Sequence, residues 1–468
     1  MALQRGSLAR AFRLGLTAGV VYFAGTLYWV TRVMVLYGGL NIVVAVGVNA
    51  AFVAYLALYP AVFALVVRRL LTAFGPRALM AAPLVWVATE LGRTHLFTGF
   101  PWVLLGYSQT EVLPIAQMAS VLGVYGLSGL VAAVSAALVA LASGPRERWA
   151  YAWTITVFVA VAGAGIWGSF RLAANDLRRE GQAVRVGLVQ GNVDQAEKWN
   201  EQRATAISSS YLQMTRQAIA DGAELVLWPE SSTPFFFEED RAWGEQIRML
   251  ARQAHVPILI GSDQIERGIP AKYYNSAFLV RSDGTTGGVY RKIHLVPFGE
   301  YVPRPFFFAG RLVEAVSDFS PGQSVELLPV DGHRLSVAIC YEIVYPNLVR
   351  TFVTSGSELL ATITNDAWFG QTSAPYQHFE QASVRAIEEG RYLVRSANTG
   401  ISGIVDPYGR VVARTRLFEP AVMVGEARFL DSSTFYARHG DVFAYVCTML
   451  TGLLLLQAVV VGRLQRRA

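Results

Sequence analysis

The sequence predicts an α-helical membrane bundle of about six spans joined to an α/β domain. Of the 468 residues, 53% are hydrophobic and only 16% are charged, and the mean hydropathy is +0.36. This composition is too apolar for an ordinary soluble enzyme and is typical of an integral membrane protein. Long uncharged stretches flank a central region in which short apolar runs alternate with polar, helix-like segments. That alternation favours a layered α/β domain between membrane segments.

Six apolar stretches approach the ~20 residues that a helix needs to cross a bilayer. They cover residues 14–31, 42–67, 76–93, 112–145, 149–170 and 442–462. The weakest is 76–93, because it contains Pro83, Glu90 and Arg93. A cleaved signal peptide is the alternative interpretation of residues 1–31. The predicted domains are a transmembrane domain at 1–183, a globular domain at 184–430, and a last transmembrane helix with its tail at 431–468.

Arginines cluster at alternate ends of these spans, and the intervening loops hold only Arg32 and Arg93. By the positive-inside rule, both termini are cytoplasmic and the globular domain lies on the outer side of the membrane. Arg171, Arg178 and Arg179 lie on that outer side and count against the assignment, but large translocated domains follow the rule loosely. The net charge of +6 belongs to this topology, and the globular region is mildly acidic. We therefore expect no nucleic-acid partner.

The globular region is predicted to contain alternating strands and helices. Strand candidates are 184–190, 224–228, 257–261, 275–281, 335–340, 359–364, 392–396, 402–406 and 422–427. Helix candidates are 197–221, 239–254, 344–356 and 376–391. The sequence Pro-Tyr-Gly at 407–409 predicts a hairpin turn between two alternating strands. About 245 residues are enough to form a complete hydrophobic core.

Three segments each place one reactive side chain at or just beyond a strand-like run. Cys340 ends the run LSVAI, Glu230 follows LVLWP, and Lys292 lies in RKIH. A carboxylate, an amine and a thiol can act as general base, oxyanion-stabilising cation and nucleophile in acyl transfer. Taken alone, each has a simpler interpretation: a buried structural thiol, a helix-capping carboxylate and a solvated surface lysine. Their occurrence together favours the catalytic interpretation.

Four other residues are considered as members of the same catalytic site or as partners of Cys340. Glu300 could orient Lys292 or Glu230, or could instead be a loop residue that bonds backbone amides. His294 and His378 are rejected as partners in a Cys/His dyad, because the segments around them offer no third group to orient an imidazole. Cys447 lies in the last span, so we expect no disulfide with Cys340. No spacing typical of a metal or phosphate site occurs, and no cofactor is expected.

With these segments in view, the chain resembles the carbon–nitrogen hydrolase (nitrilase) superfamily and, more closely, the bacterial apolipoprotein N-acyltransferases. The matching segments are VQGNV at 189–193, KW at 198–199, WPE at 228–230, KIHLVPFGEYVP at 292–303, ICYE at 339–342 and TNDAWFG at 364–370, with TGFPW at 98–102 and GYSQ at 106–109 in the membrane region. The resemblance covers nearly the whole chain. The family has seven spans before the domain, whereas this sequence has five.

The resemblance implies a nitrilase-like αββα sandwich and a role for each matching residue. Glu230 is the base, Lys292 the oxyanion cation, Cys340 the nucleophile and Glu300 an auxiliary carboxylate. Tyr341 and Glu342 would shape the pocket. Trp199, Trp368 and Arg391 match positions near the substrate site, with domain packing as the alternative.

The implied reaction moves an acyl chain from a membrane phospholipid to the α-amine of a diacylated lipoprotein, by a monomer in the bacterial inner membrane. Phe235–Phe237 and Phe306–Phe308 would lie at the membrane interface, or alternatively in the domain core. A membrane-tethered amidase that hydrolyses small amides is the second hypothesis, and a catalytically inactive scaffold is the third. The five spans argue against the amidase, since a tether needs only one, and the intact Glu, Lys and Cys set argues against the scaffold.

Overall fold

The computed structural model describes residues 6–143, 147–302 and 318–464. The chain divides into two compact units. The first comprises Met1–Arg32, Asn41–Ala174 and Arg438–Ala468, and the second comprises Val33–Leu40 and Asn175–Ala437. The predicted aromatic segment at 306–308 lies outside the described residues.

The first unit is helical. Its helices, in chain order, are α1 Leu8–Thr26, α2 Trp29–Leu36 (which ends in the second unit), α3 Ile42–Phe74, α4 Ala82–His95, α5 Leu113–Ala116, α6 Ala119–Ser143, α7 Arg148–Ala174 and, near the C-terminus, α13 Val442–Leu464. Within the described residues, α3, α6, α7 and α13 are long and apolar enough to cross a membrane. The pair α1 and α2, bent by 54°, makes a fifth candidate if it counts as one span.

Five of the six predicted spans therefore coincide with these helices, and 76–93 is the exception. Its α-helical part, α4, has only 14 residues and follows a 3-10 segment at Pro76–Ala81. At 1.5 Å per residue α4 reaches about 21 Å, which is less than the ~30 Å thickness of the hydrocarbon core. The predicted span at 76–93 is therefore not one regular α-helix, but a 3-10 segment followed by a short α-helix.

The two charged side chains of α4 bind the loop that follows it. Glu90 Oε1 accepts from the backbone N–H of Leu105 at 2.7 Å. Arg93 donates to the backbone oxygens of Trp102 at 2.7 Å and Val103 at 3.3 Å. Both side chains are buried, and each satisfies backbone groups that the hydrocarbon core could not. These contacts explain how a helix with two charges fits inside an apolar bundle.

Helices α1 and α3 approach closely because α1 presents glycines there. A Cβ atom at Gly15 would lie 2.4 Å from the backbone oxygen of Pro60, and one at Gly19 would lie 2.8 Å from Ala57 Cα. These glycines are four residues apart, so they share one face of α1. Small residues in this spacing let membrane helices pack backbone to backbone.

The second unit contains two six-stranded sheets. The strands are β1 Gln182–Gln190, β2 Leu225–Leu227, β3 Ile258–Glu266, β4 Lys272–Val280, β5 Thr286–Arg291, β6 Leu328–Val330, β7 His333–Ile339, β8 Leu359–Thr364, β9 Leu393–Ala397, β10 Gly403–Val405, β11 Val411–Arg414 and β12 Ala421–Phe429. The helices are α8 Glu201–Ala220, α9 Arg241–Ala254, α10 Pro346–Thr354, α11 Ala374–Glu389 and α12 Phe435–His439.

The strand orders are β12-β1-β2-β3-β4-β5 and β11-β10-β9-β8-β7-β6. Strands β1, β2 and β3 are parallel in the first sheet, as are β7, β8 and β9 in the second. The sheets contact each other through β1 with β9 and β4 with β7. Helices α8 and α9 pack on the first sheet, and α10 and α11 pack on the second. This arrangement confirms the predicted αββα sandwich.

All the predicted strands and helices of this unit are present within a few residues of their expected limits, and β10 and β11 form the predicted hairpin. The prediction missed β5, β6 and the short helix α12. Strand β5, TGGVYR, contains two glycines and lacks the alternation of a half-buried strand, whereas β6 has only three residues and a central proline.

Candidate active site

Cys340 is the first residue after β7 and begins a 3-10 turn that ends at Val344. Its φ angle is +51°, which is in the left-handed region that residues other than glycine seldom adopt. Cys340 is 8% exposed and is therefore buried.

Glu230 follows β2 and is buried. Its Oε1 accepts from Asn275 Nδ2 at 2.7 Å, and its Oε2 accepts from the backbone N–H of Asn365 at 2.9 Å. Each carboxylate oxygen therefore has a fixed partner, and the two partners come from different sheets. Glu230 is not a helix-capping residue, since its bonds go to these distant groups.

Lys292 follows β5 directly and is only 1% exposed. Its Nζ lies 2.8 Å from Glu300 Oε1 and 3.3 Å from Glu230 Oε1. Glu300 also accepts from the backbone N–H of Val296 at 2.7 Å. Both roles weighed for Glu300 are therefore present: it orients Lys292 and it bonds a loop amide. One buried ammonium group lies between two carboxylates.

Asn275 was not predicted from the sequence, although it contacts both of these carboxylates. Its Nδ2 lies 2.9 Å from Glu300 Oε1, in addition to its bond with Glu230. Asn275 could have been found only from the pairing of β4 with β5. In that pairing Ser276 faces Arg291, which brings Asn275 next to Lys292. Because β5 was missed, this register could not be deduced.

Burial and charge determine the protonation of the three central groups. Burial alone would raise the pKa of Glu230, but the Lys292 charge and the Asn275 hydrogen bond outweigh it and lower that pKa. Burial and the Glu230 charge raise the pKa of Cys340 above its ordinary value, although Lys292 opposes them. The pKa of Lys292 is raised, since Glu300 and Glu230 outweigh burial. The resting state therefore has a neutral thiol, an ionised Glu230 and a charged Lys292.

Lys198 is a second buried lysine of this region, and no role for it was deduced beforehand. Its Nζ lies 3.4 Å from the backbone oxygen of Glu230. Burial lowers the pKa of Lys198, opposed by the charges of Asp263 and Glu230. The segment KW at 198–199 is the signal in the sequence, since it matches the family.

Glu342 is fully buried and bonds to main-chain groups on both sides of the site. Its Oε1 accepts from the backbone N–H groups of Ile293 at 2.7 Å and His294 at 3.0 Å, and from the Tyr290 hydroxyl at 2.8 Å. Its Oε2 accepts from the backbone N–H of Ile339 at 2.7 Å. Glu342 thus joins the Lys292 loop to the turn at the nucleophile. Burial raises its pKa to about 7.

The other predicted site residues, Tyr341, Trp368 and Trp199, lie in different surroundings. Tyr341 adjoins the nucleophile, with its ring 5.2 Å from that of Tyr345. Trp368 is half-buried and packs edge-on against Tyr37 at 4.9 Å, and Trp199 is 48% exposed before α8.

Arg391 is not brought to the site. Its side chain bonds the backbone oxygens of Ser357, Gly390 and Ser432, near the start of β8 and not near its carboxyl end.

The two histidines, His294 and His378, have different partners. His294 packs on Tyr345 with ring centroids 3.8 Å apart, and burial together with the Lys292 charge lowers its pKa to about 4. His378 is oriented by Asp366, contrary to the expectation that no orienting group exists. Its Nε2, however, bonds the backbone oxygen of Cys340 at 3.1 Å and not the sulfur.

The aromatic segment Phe235–Phe237 contributes to the domain core. Phe237 is buried and packs against Phe278 with ring centroids 5.3 Å apart, while Phe235 stacks on Trp243. These contacts favour the core interpretation over the interfacial one for this segment.

Two family models match the chain. The carbon-nitrogen hydrolase model matches residues 185–431, and the model of the apolipoprotein N-acyltransferase N-terminal domain matches residues 1–138. The chain is similar to the apolipoprotein N-acyltransferase of Geobacter metallireducens, with 42% identity over 96% of this chain and 87% of that protein. It is 36% identical to the apolipoprotein N-acyltransferase of Methylococcus capsulatus, over 93% of this chain and 85% of that protein.

Among solved structures, the chain is similar to a carbon-nitrogen hydrolase from Helicobacter pylori. The identity is 18%, the match covers 53% of this chain and 89% of that chain, and the TM-score is 0.42.

Proposed function

The chain belongs to the apolipoprotein N-acyltransferase family, and from this premise we propose that it transfers an acyl chain from a membrane phospholipid to a lipoprotein. The acceptor is the α-amine of a diacylglyceryl-cysteine at the lipoprotein N-terminus. One observation carries the proposed chemistry: a buried lysine lies between two carboxylates, and its charge and that of Glu230 act on the pKa of the Cys340 thiol.

In the first half-reaction Glu230 takes the thiol proton, and the Cys340 sulfur attacks the carbonyl carbon of a phospholipid ester. The lowered pKa of Glu230 means that this carboxylate is free to accept a proton at neutral pH. Collapse of the tetrahedral intermediate breaks the carbon–oxygen bond and leaves a thioester on Cys340. The lysophospholipid alkoxide leaves with the proton held by Glu230.

Lys292 stabilises the oxyanion of the tetrahedral intermediate. A charged donor in a buried site is effective because little water competes with it. Since Glu300 and Glu230 raise the pKa of Lys292, this residue stays charged through the cycle and does not act as a base. Glu300 and Asn275 act as positioning residues for the cation.

In the second half-reaction the lipoprotein α-amine attacks the thioester carbonyl and gives its proton to Glu230. The carbon–sulfur bond breaks, the amide forms, and the thiolate recovers a proton from Glu230. An amine attacks a thioester more readily than an oxygen ester, which explains the use of a thiol nucleophile. The kinetic mechanism is ping-pong, because the first product leaves before the acceptor reacts.

We propose that the enzyme works as a monomer in the bacterial inner membrane, with domains at 1–183, 184–430 and 431–468. The catalytic domain faces the periplasmic side, and both termini are cytoplasmic. Arginine placement supports this orientation, in which the 3-10 segment Pro76–Ala81 and α4 together form one crossing. A membrane bundle lets both lipid substrates reach the thiol from the outer leaflet, and the similarity over residues 1–138 favours it over a simple tether.

The test is mass spectrometry of the purified full-length protein after incubation with phospholipid. We expect a mass increase of one acyl chain on Cys340, which is lost when a diacylated lipopeptide is added. Cys340→Ala should form no adduct and show no transfer while remaining folded. Cys447→Ala is the matched control and should behave like the parent. Turnover by Cys340→Ala would exclude thioester chemistry, and hydrolysis of small amides in place of transfer would favour the amidase.

A further inference from the structure

The strand next to the nucleophile ends in a buried hydroxyl group. Strands β7 and β8 are parallel, and Ile339 faces Ile363, so the following residues, Cys340 and Thr364, are neighbours at the same sheet edge. Thr364 is fully buried, and its hydroxyl is among the groups that lower the pKa of the Cys340 thiol, against the burial and the Glu230 charge that raise it. The reaction steps described above do not use this hydroxyl.

The single proton of this hydroxyl has two possible acceptors. Thr364 Oγ1 lies 2.9 Å from Asp366 Oδ1, which can only accept while the carboxylate is ionised. With a neutral thiol, the proton therefore goes to Asp366, and the threonine oxygen can accept the S–H. When Cys340 becomes a thiolate, its sulfur changes from donor to acceptor. A rotation of the hydroxyl then directs the proton to the sulfur.

Asp366 can release this hydrogen bond because Arg395 also holds its carboxylate. Arg395 Nη2 lies 2.9 Å from Oδ2 and 3.0 Å from His378 Nδ1, and all three side chains are fully buried. Burial would raise the pKa of Asp366, but opposing contributions, the charge of Arg395 first among them, lower it to about 2. The carboxylate therefore stays ionised without Thr364.

The same network also holds the main chain of the nucleophile. His378 Nε2 lies 3.1 Å from the backbone oxygen of Cys340, and because a carbonyl oxygen only accepts, this nitrogen carries a proton. Cys340 has a φ angle of +51°, a conformation that needs support from its surroundings. Cys340 thus neighbours Thr364, Thr364 bonds Asp366, Asp366 contacts His378, and His378 bonds the backbone oxygen of Cys340.

We propose that Thr364 is a further catalytic residue, whose hydroxyl donates a hydrogen bond to the Cys340 sulfur as the thiolate forms. Asp366 is the positioning residue that holds the proton until then. No covalent bond changes at Thr364: the thiol proton goes to Glu230, and the threonine proton stays on its oxygen. The inference rests on the proposed function in taking Cys340 as the nucleophile.

The experiment measures alkylation of Cys340 by iodoacetamide between pH 7 and 10 in the detergent-purified full-length protein. Peptide mass spectrometry identifies Cys340, so reaction at Cys447 does not interfere. Thr364→Val keeps the shape but removes the hydroxyl, and we expect about tenfold slower alkylation at each pH, since a hydrogen bond to a charged group is lost. Thr364→Ser restores the hydroxyl and should react at close to the parental rate.

Thr362→Val is the matched control on the same strand. Thr362 is also fully buried, and its hydroxyl has no hydrogen-bond partner among the described residues, so its alkylation rate should equal the parent's. A variant that failed to fold would expose Cys340 and react faster, which is the opposite of the expected change. An unchanged or faster rate in folded Thr364→Val, checked by its melting temperature, would overturn the proposal.

The same proteins are then incubated with phospholipid. Acyl-enzyme formation should fall in Thr364→Val and recover in Thr364→Ser. Alkylation requires no acyl donor, so the two hypotheses fail separately. If the parent forms no acyl adduct, the proposed function fails while the alkylation series still decides whether Thr364 stabilises the thiolate.

Discussion

The Asn275 side-chain amide donates to the Glu230 carboxylate at 2.7 Å, and the same nitrogen lies 2.9 Å from Glu300. One buried and one partly buried carboxylate thus share one amide nitrogen in addition to one ammonium group. The hydrogen bond from Asn275 is among the interactions that lower the pKa of Glu230. An uncharged side chain therefore helps to set the protonation state of the proposed base.

Asn275→Ala should raise the pKa of Glu230, because a hydrogen bond to its ionised form is lost. A raised pKa means that Glu230 becomes protonated at higher pH, so the acid limb of acyl-enzyme formation should shift to higher pH. We expect the limb to shift by about one pH unit, in line with the loss of a charge-assisted hydrogen bond, while Glu230 stays ionised at pH 7. Rates of adduct formation between pH 4 and 8 measure the shift.

Asn275→Asp provides the contrasting variant. It places a third carboxylate beside Glu230 and Glu300, so we expect a larger loss of rate than in Asn275→Ala. An acid limb that coincided with the parent's in both variants would show that Asn275 does not act on the base.

Glu230→Gln should have opposite effects on two reactions of Cys340. Acyl-enzyme formation loses its general base and should fall at least about a hundredfold. The negative charge of Glu230 raises the pKa of Cys340, so its removal lowers that pKa and increases the thiolate fraction at a given pH. Alkylation by iodoacetamide should therefore become faster.

Glu238→Gln is the control for this pair of measurements, because Glu238 lies in the same domain, where it accepts from Gln264. It should leave both rates unchanged. Parallel loss of acyl transfer and alkylation in Glu230→Gln would indicate a general disruption of the site and not the loss of a base.

Lys292→Met should destabilise the protein by about 3 kcal/mol at neutral pH, because the buried Glu230 and the partly buried Glu300 lose their shared cation. The largest contribution that opposes burial is then lost, so we expect the pKa of Glu230 to rise above its ordinary value of 4.5. Stability of the variant then falls as the pH rises above 4.5, so the deficit relative to the parent should be smaller at pH 5 than at pH 8. Melting temperatures at both pH values measure this difference.

The matched control for Lys292→Met is Lys272→Met. Lys272 is half exposed, and its ammonium group lies 4.0 Å from Glu266 at the surface. An exposed ion pair contributes about 0–1 kcal/mol, so little change is expected at either pH. An equal deficit at pH 5 and pH 8 in Lys292→Met would contradict the assignment of the buried charges.

Glu342→Ala should remove the acceptor of four donors, two of them buried, and destabilise the protein by about 3 kcal/mol. The loop of Lys292 and the turn of Cys340 lose their connection, so acyl-enzyme formation should also fall. Glu326→Ala changes a surface glutamate that bonds Ser324, and it should alter neither quantity. Full activity of Glu342→Ala at a parental melting temperature would show that this connection is dispensable.

Part of the candidate site could be predicted from the sequence because its residues follow recognisable local patterns. Cys340, Glu230 and Lys292 each directly follow or lie within three residues of a strand, and an apolar run followed by a reactive side chain is visible in one dimension. The membrane spans were equally visible, because a stretch without charges needs no partner to be recognised. The span at 76–93 was the exception, since its charged residues bond a loop whose position the sequence does not give.

The sequence by itself determined the two-part architecture and a layered α/β domain, because these depend on composition and short-range periodicity, and it pointed to three candidate reactive residues. The αββα class was an expectation from the family resemblance. Tertiary structure decided which groups surround them. Asn275 reaches the site through the register of β4 and β5, and Thr364 reaches it through the register of β7 and β8. Strand register is a relation between distant segments, so these contacts, and the protonation states that follow from burial and charge, exist only once the chain has folded.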